Sequence, residues 1–191
     1  IDAEGLALAP GFIDVHTHDD IELIRNPGML SKLSQGITTV VVGNCGISAA
    51  PVAVTDTVPD PLNLLGRADE FRFPTLEAYQ QAFEKARPAL NAAFLIGHTA
   101  LRAQVMDRLD RPASSEEIAQ MREMLALALK QGAKGMSTGL AYQSAFHAPS
   151  QEIDALSALL AEYDALYTTH LRTEFDGILD AMDEAFATGR K

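Results

Sequence analysis

Apolar positions along this chain recur in two rhythms that take turns. The segment Gly11-Phe12-Ile13-Asp14-Val15-His16-Thr17-His18 has period two, which predicts a strand with Ile13, Val15 and Thr17 on one face. Phe12, Asp14, His16 and His18 share the other. The first face is β-branched throughout and suits packing against helices; the second turns polar towards its end. Thr38-Thr39-Val40-Val41-Val42 is an unbroken β-branched run, as expected of a strand buried on both faces. Ala93 to Gly97, Ala133 to Ser137 and Tyr167 to His170 supply three further short strands.

Between these runs the spacing lengthens to three and four residues, the period of an amphipathic helix. A short helix is expected around Met29 to Gln35. Leu76, Tyr79 and Phe83 follow a capping Thr75. Ile118, Met121, Leu125 and Ala128 follow Ser114 and Glu117, which are spaced as a capping box. Ile153, Leu156, Leu160 and Tyr163 form another stripe after Ser150, and Ile178, Met182 and Phe186 form a last one. The stretch from Ile47 to Pro74, with Pro51, Pro59, Pro61 and Pro74, reads as a long loop, of the length often used for lids or binding loops.

Five strand-then-helix units imply an α/β fold with a parallel sheet. A doubly wound nucleotide-binding sheet should carry a Gly-rich phosphate turn after an early strand. Neither GxGxxG nor GxxxxGK[ST] occurs, and histidine and cysteine follow the strands instead. The expectation is therefore part of a (β/α)8 barrel, whose active sites are built at the C-terminal ends of the strands.

Composition narrows the function classes. With 47% hydrophobic and 21% charged residues, the chain has the make-up of a soluble globular protein. No run of about 18 apolar residues is present to span a bilayer. A net charge of −11 with no basic patch argues against nucleic acid as a partner. A small substrate remains open. The one cysteine, Cys45, fits a reducing compartment and a cytoplasmic location. The chain begins at Ile1, so the translational start is expected to lie elsewhere.

His16 and His18 stand about 6.6 Å apart on one strand face, a spacing that suits two ligands of one metal ion as well as two polar residues at a strand end. Asp14, on the same face, is a candidate to orient His16. Of Asp19 and Asp20, one is expected to cap the following segment and the other to be exposed. Cys45, between Gly43 and Gly46, reads either as a small buried hydrophobe or as a thiolate ligand. His170 reads as a core histidine or a ligand. His98 reads as a rim histidine bonded to a loop carbonyl or as a substrate contact, and His147 as a solvated loop residue. Serine-elbow motifs are absent.

The motif set resembles a known family. Pro10-Gly11-Phe12-Ile13-Asp14-Val15-His16-Thr17-His18 resembles the first barrel strand of the amidohydrolase superfamily. Gly36-Ile37-Thr38-Thr39-Val40-Val41-Val42-Gly43-Asn44-Cys45-Gly46 is similar to the D-aminoacylase (N-acyl-D-amino-acid deacylase) family. Ser137-Thr138-Gly139-Leu140-Ala141-Tyr142 and Thr169-His170-Leu171-Arg172-Thr173-Glu174 match further blocks in order.

This resemblance implies a metal-dependent hydrolase in which His16 and His18 hold one zinc position and Cys45 with His170 the other. The Cys45 thiolate would bridge in place of the usual carboxylated lysine. Lys134 is rejected for that role because it starts its strand. One zinc is implied to be tight and a second weaker. Tyr142, near the substrate, and Arg172, beside the metal histidine, are the implied substrate-side residues; His98 joins them as a candidate from its place after the third strand.

The next metal histidine, on the sixth strand, and the catalytic aspartate, on the eighth, are expected beyond Lys191. Residues 1–9 would be a remnant of the small β domain and 10–191 the N-terminal five βα units of the barrel. The activity implied is hydrolysis of N-acyl-D-amino acids, with the motif wording leaning to the D-glutamate branch; the missing part of the barrel is the implied partner. The alternatives are a cyclic-amidase or dipeptidase-like amidohydrolase, or a non-catalytic metal-binding fragment.

Overall fold

The computed structural model describes residues 4–54 and 57–190. The chain opens with β1 (Phe12–Asp14), α1 (Glu22–Arg25), α2 (Leu30–Leu33), β2 (Ile37–Val42), β3 (Val52–Ala53) and β4 (Arg72–Phe73). It continues through α3 (Leu76–Ala86), β5 (Asn91–Gly97), α4 (His98–Val105), α5 (Ser115–Lys130) and β6 (Gly135–Gly139). The last elements are α6 (Gln143–Phe146), α7 (Ser150–Glu162), β7 (Leu166–His170) and α8 (Ile178–Gly189).

Five strands form one all-parallel sheet in the order β1-β2-β5-β6-β7. Each new strand is laid beside its predecessor and the order never reverses. A doubly wound sheet needs such a reversal; its absence makes this an arc of a barrel. All five strand C-termini point the same way, and the side chains following them share one rim.

Local chemistry sets the helix starts. Thr75 Oγ1 accepts from Ala78 N at 3.2 Å. Ser114 Oγ accepts from Glu117 N at 3.2 Å while the Glu117 carboxylate accepts from Ser114 N at 2.7 Å, the reciprocal pair that spares two orphan amides. The main core lies where the helices cover the sheet, with Ile96 and Met136 from the strands against Leu76, Tyr79, Leu101, Met121, Leu125 and Leu156. No helix among the described residues is long and apolar enough to cross a membrane.

Two expectations need correction. The stretch from Ile47 to Pro74 is no open loop. It carries the antiparallel β3–β4 ribbon and two 3-10 turns, and Ile47, Val52, Leu62, Leu65 and Phe71 join the core. Two-residue strands are too short to show a period. The first strand is shorter than expected, ending at Asp14, and the face expected to meet helices is open: Ile13 in β1 and Val15 just past it are 62% and 69% exposed, because β1 is an edge of the arc. For the expected β-domain remnant, residues 1–3 lie outside the described residues, and residues 4–9 carry no strand.

Candidate metal centre

The turn after β2 is the part of the rim most tightly specified. Gly43, Cys45 and Gly46 all have positive φ, +82°, +53° and +76°. For a cysteine that conformation is costly, and it persists only where surroundings over-determine it. Here they do. Gly46 N donates to Ser137 Oγ at 2.9 Å, and Ser137 Oγ donates to Gly43 O at 2.5 Å. Thr99 N donates to Gly46 O at 2.8 Å. The Asp20 carboxylate, buried, accepts from Ala49 N at 3.1 Å and Gly43 N at 3.4 Å.

Around the Cys45 sulfur stand the imidazoles. His16 Nε2 is 3.1 Å from Sγ and His170 Nδ1 is 3.8 Å from it. The His16 and His18 rings meet edge to face at 5.5 Å. One donor atom each of His16, His18 and Cys45 falls within 4.8 Å of the other two. The Tyr142 hydroxyl is 3.4 Å from His170 Nδ1, and Glu174 lies 3.4 Å from His170 Nε2. Lys32 fixes the first strand end from behind: its Nζ reaches Asp14 at 2.6 Å, Asp19 at 3.0 Å and Thr17 Oγ1 at 3.1 Å.

Electrostatics complete the picture. Burial pushes the Cys45 thiol up, with a bond from Tyr142 opposing. Burial, then the neighbouring His16, pushes His18 down, which keeps that imidazole in the neutral form metals bind. Burial raises Asp20 to about 7.

These residues fit zinc. His18 Nδ1 is buried without a hydrogen-bond partner, a costly state that a cation relieves. The donors are imidazole nitrogen and thiolate sulfur, the set zinc favours, and two ligands of one tetrahedral zinc stand about 3.4–3.7 Å apart. Small rotations from the observed separations reach that.

The structure brings His16, His18, Cys45, His170 and Tyr142 together. It does not bring His98 or Arg172 with them. His98 opens α4, fully buried, with Nε2 at 2.9 Å from Glu152. Its position one residue past the strand turns it into the helix layer. Arg172 follows the strand end into a turn that aims it away. Its guanidinium grips Glu184 at 2.8 and 2.9 Å and the carbonyls of Phe146 and Ala148 at 2.7 and 3.0 Å.

Asp14 meets His16 through the backbone amide at 3.3 Å, not the ring. Neither Asp19 nor Asp20 is exposed: Asp19 pairs with Lys32, and Asp20 braces the cysteine turn. Lys134 is exposed and precedes β6, while His147 is exposed and contacts Gln143 at 3.2 Å. Asp20 and Ser137 are the supporting residues that sequence reasoning missed. No local pattern marks either, because their partners lie 23 to 94 positions away.

A singly wound parallel arc with histidines and a thiol converging on its C-terminal rim is a partial barrel of the amidohydrolase kind. The chain belongs to the amidohydrolase family, whose profile matches residues 1–188. It is 52% identical over its whole length to the N-acyl-D-aspartate deacylase of Alcaligenes xylosoxydans xylosoxydans, of which it covers 38%. It is 46% identical to that organism's N-acyl-D-glutamate deacylase, again over its whole length and 39% of the relative. A solved N-acyl-D-glutamate deacylase from Bordetella bronchiseptica, complexed with zinc and a phosphonate mimic of the tetrahedral intermediate, superposes with TM-score 0.90 at 44% identity. That match covers 95% of this chain and 38% of the solved one. The chain thus spans under two fifths of the length of these relatives.

Proposed function

We propose that the whole protein hydrolyses the amide bond of N-acyl-D-amino acids, releasing a carboxylate and a D-amino acid. The observation that carries this reading is the lone Cys45 sulfur set among His16, His18 and His170, combined with relatives named for that reaction. His16 and His18 would hold one zinc position and Cys45 with His170 the other, one ion tight and the second weaker. When bound, zinc supplies Lewis acidity, lowering the pKa of water and polarising the scissile carbonyl.

The chain's own residues supply the frame. Neutral His18 presents a lone pair rather than a positive charge. Glu174 sets the orientation of His170 by facing its Nε2, and the Tyr142 hydroxyl, beside His170 Nδ1, is placed to donate to a substrate oxygen. The resemblance puts the proton-accepting aspartate on the eighth barrel strand, outside these residues. The lone thiol goes with a reducing compartment, the cytoplasm.

Identity is higher to the relative named for aspartate than to the one named for glutamate, 52% against 46%, so the motif-based leaning to D-glutamate gives way to N-acyl-D-aspartate as the first substrate to assay. The test is turnover by the whole zinc-loaded protein of N-acetyl-D-aspartate, N-acetyl-D-glutamate, N-acetyl-D-leucine, their L-enantiomers and hydantoin. Release of free amino acid from D-substrates alone supports the reading. Ring opening of hydantoin without linear amide cleavage overturns it.

A further inference from the structure

The fourth strand of the sheet, β6, reads Gly135-Met136-Ser137-Thr138-Gly139 and is buried throughout. It carries no histidine, cysteine or carboxylate for the rim. Its end is filled instead by the backbone of the cysteine turn. A Cβ added to Gly139 would strike the Cys45 carbonyl oxygen, and one added to Gly46 would stand 2.7 Å from Gly139 N. Into this close approach Ser137 puts one fully buried hydroxyl, which takes the Gly46 N–H at 2.9 Å and gives its proton to Gly43 O at 2.5 Å. The two bonded peptides lie on either side of Cys45. They belong to no helix or strand ladder, so without this hydroxyl a buried donor and acceptor lose a partner.

We infer that Ser137 is a positioning residue for the metal centre: its hydroxyl locks the Gly43–Gly46 turn and so holds the Cys45 sulfur between His16 and His170. The inference rests on Cys45 being a zinc ligand. With φ of residue 45 held at +53°, one side-chain torsion remains to aim Sγ, and the turn cannot shift without breaking both bonds. Groups that orient metal ligands in this indirect way are typically worth about 10–100-fold in metal affinity.

The experiment uses the whole protein and measures zinc affinity by competition with a chromogenic chelator. The sulfur-to-cobalt charge-transfer band is recorded after cobalt substitution. Four forms are compared: unaltered, Ser137→Ala, Thr138→Val and Cys45→Ala. Thr138 is the neighbouring buried hydroxyl, bonded at 2.7–3.0 Å to Thr169 and Tyr167 and not to the cysteine turn.

Ser137→Ala is expected to weaken zinc about 10–100-fold and to displace the cobalt band, and Thr138→Val to do neither. Parent-like affinity and band in Ser137→Ala overturn the inference, as does an equal loss in Thr138→Val. Undiminished zinc affinity in Cys45→Ala identifies the deeper failure, that of the zinc reading itself. Should Ser137→Ala not fold, amide exchange on the unaltered metal-free protein decides. A Gly46 N–H as protected as the β6 amides supports the lock, and a freely exchanging one overturns it.

Discussion

Replacing Glu152 by glutamine tests a fully buried charge cluster in the helix layer. Glu152, His98 and Arg102 have fully buried side chains. The Glu152 carboxylate accepts from Arg102 Nη1 at 2.5 Å, from His98 Nε2 at 2.9 Å and from Ala113 N at 3.1 Å. Arg102 also donates to the carbonyls of Ser144, Leu109 and Arg111 at 3.0, 2.9 and 2.6 Å. The cluster thereby ties α4 and α7 to the loop before α5. Glu152→Gln is nearly isosteric, so packing hardly changes. It removes the counter-charge of a fully buried guanidinium, and breaking such a pair costs about 3–5 kcal/mol.

At about 2–4 °C per kcal/mol for a chain of this size, Tm should fall by roughly 6–20 °C. Differential scanning calorimetry at neutral pH reads this directly. The double variant Glu152→Leu with Arg102→Met, which removes both charges, should recover much of the loss, since replacing a whole buried pair by apolar groups is often neutral. A fall of less than about 3 °C for Glu152→Gln, near 1 kcal/mol, would refute the reasoning.

The same cluster sets an acid limit. Burial alone would raise the Glu152 carboxyl, but the bond and charge of His98, with Arg102, bring it from 4.5 to about 2. A carboxyl depressed on folding contributes stability that is complete above its unfolded value and is lost as pH falls through its folded one. Unfolding monitored by circular dichroism should therefore steepen between pH 4.5 and 2 and be less steep in Glu152→Gln, the part that remains belonging to other paired carboxylates such as Glu70 and Glu117. Gly139→Ala drives a methyl into the Cys45 carbonyl; a destabilisation of about 1–3 kcal/mol in urea titration is expected, together with reduced zinc by metal analysis. Arg108→Ala, which breaks an exposed pair with Asp110, should leave the urea midpoint unmoved.

Much of this was legible in the sequence, for identifiable reasons. The β-branched runs gave away the strands, although in β2 only one face, that of Val40 and Val42, is buried and Val41 on the other is half-buried. His16 and His18 were readable from their spacing, although β1 ends at Asp14 and both lie in the segment just past it rather than on the strand face expected. Cys45 stood out through its glycine neighbours, which have the positive φ the turn requires. What stayed hidden depends on contacts across the chain. Ser137 meets Gly43 and Gly46 from more than 90 positions away, and nothing in its neighbourhood announces it.

Glu152 lies in the first turn of α7, the ordinary place for an acid at a helix start, and only the fold buries it. His98 and Arg172 stand close to strand ends in the sequence, yet their side chains are held by Glu152 and by Glu184. The chain turns within one or two residues of each end and carries both side chains elsewhere.

The central claim is that a single sulfur joins imidazoles around zinc at the strand ends, and zinc K-edge X-ray absorption on the whole protein tests it most directly. The account predicts one sulfur at about 2.3 Å alongside nitrogen or oxygen at about 2.0–2.1 Å, with the sulfur signal gone in Cys45→Ala. Zinc bound by nitrogen and oxygen alone in the unaltered protein would contradict it.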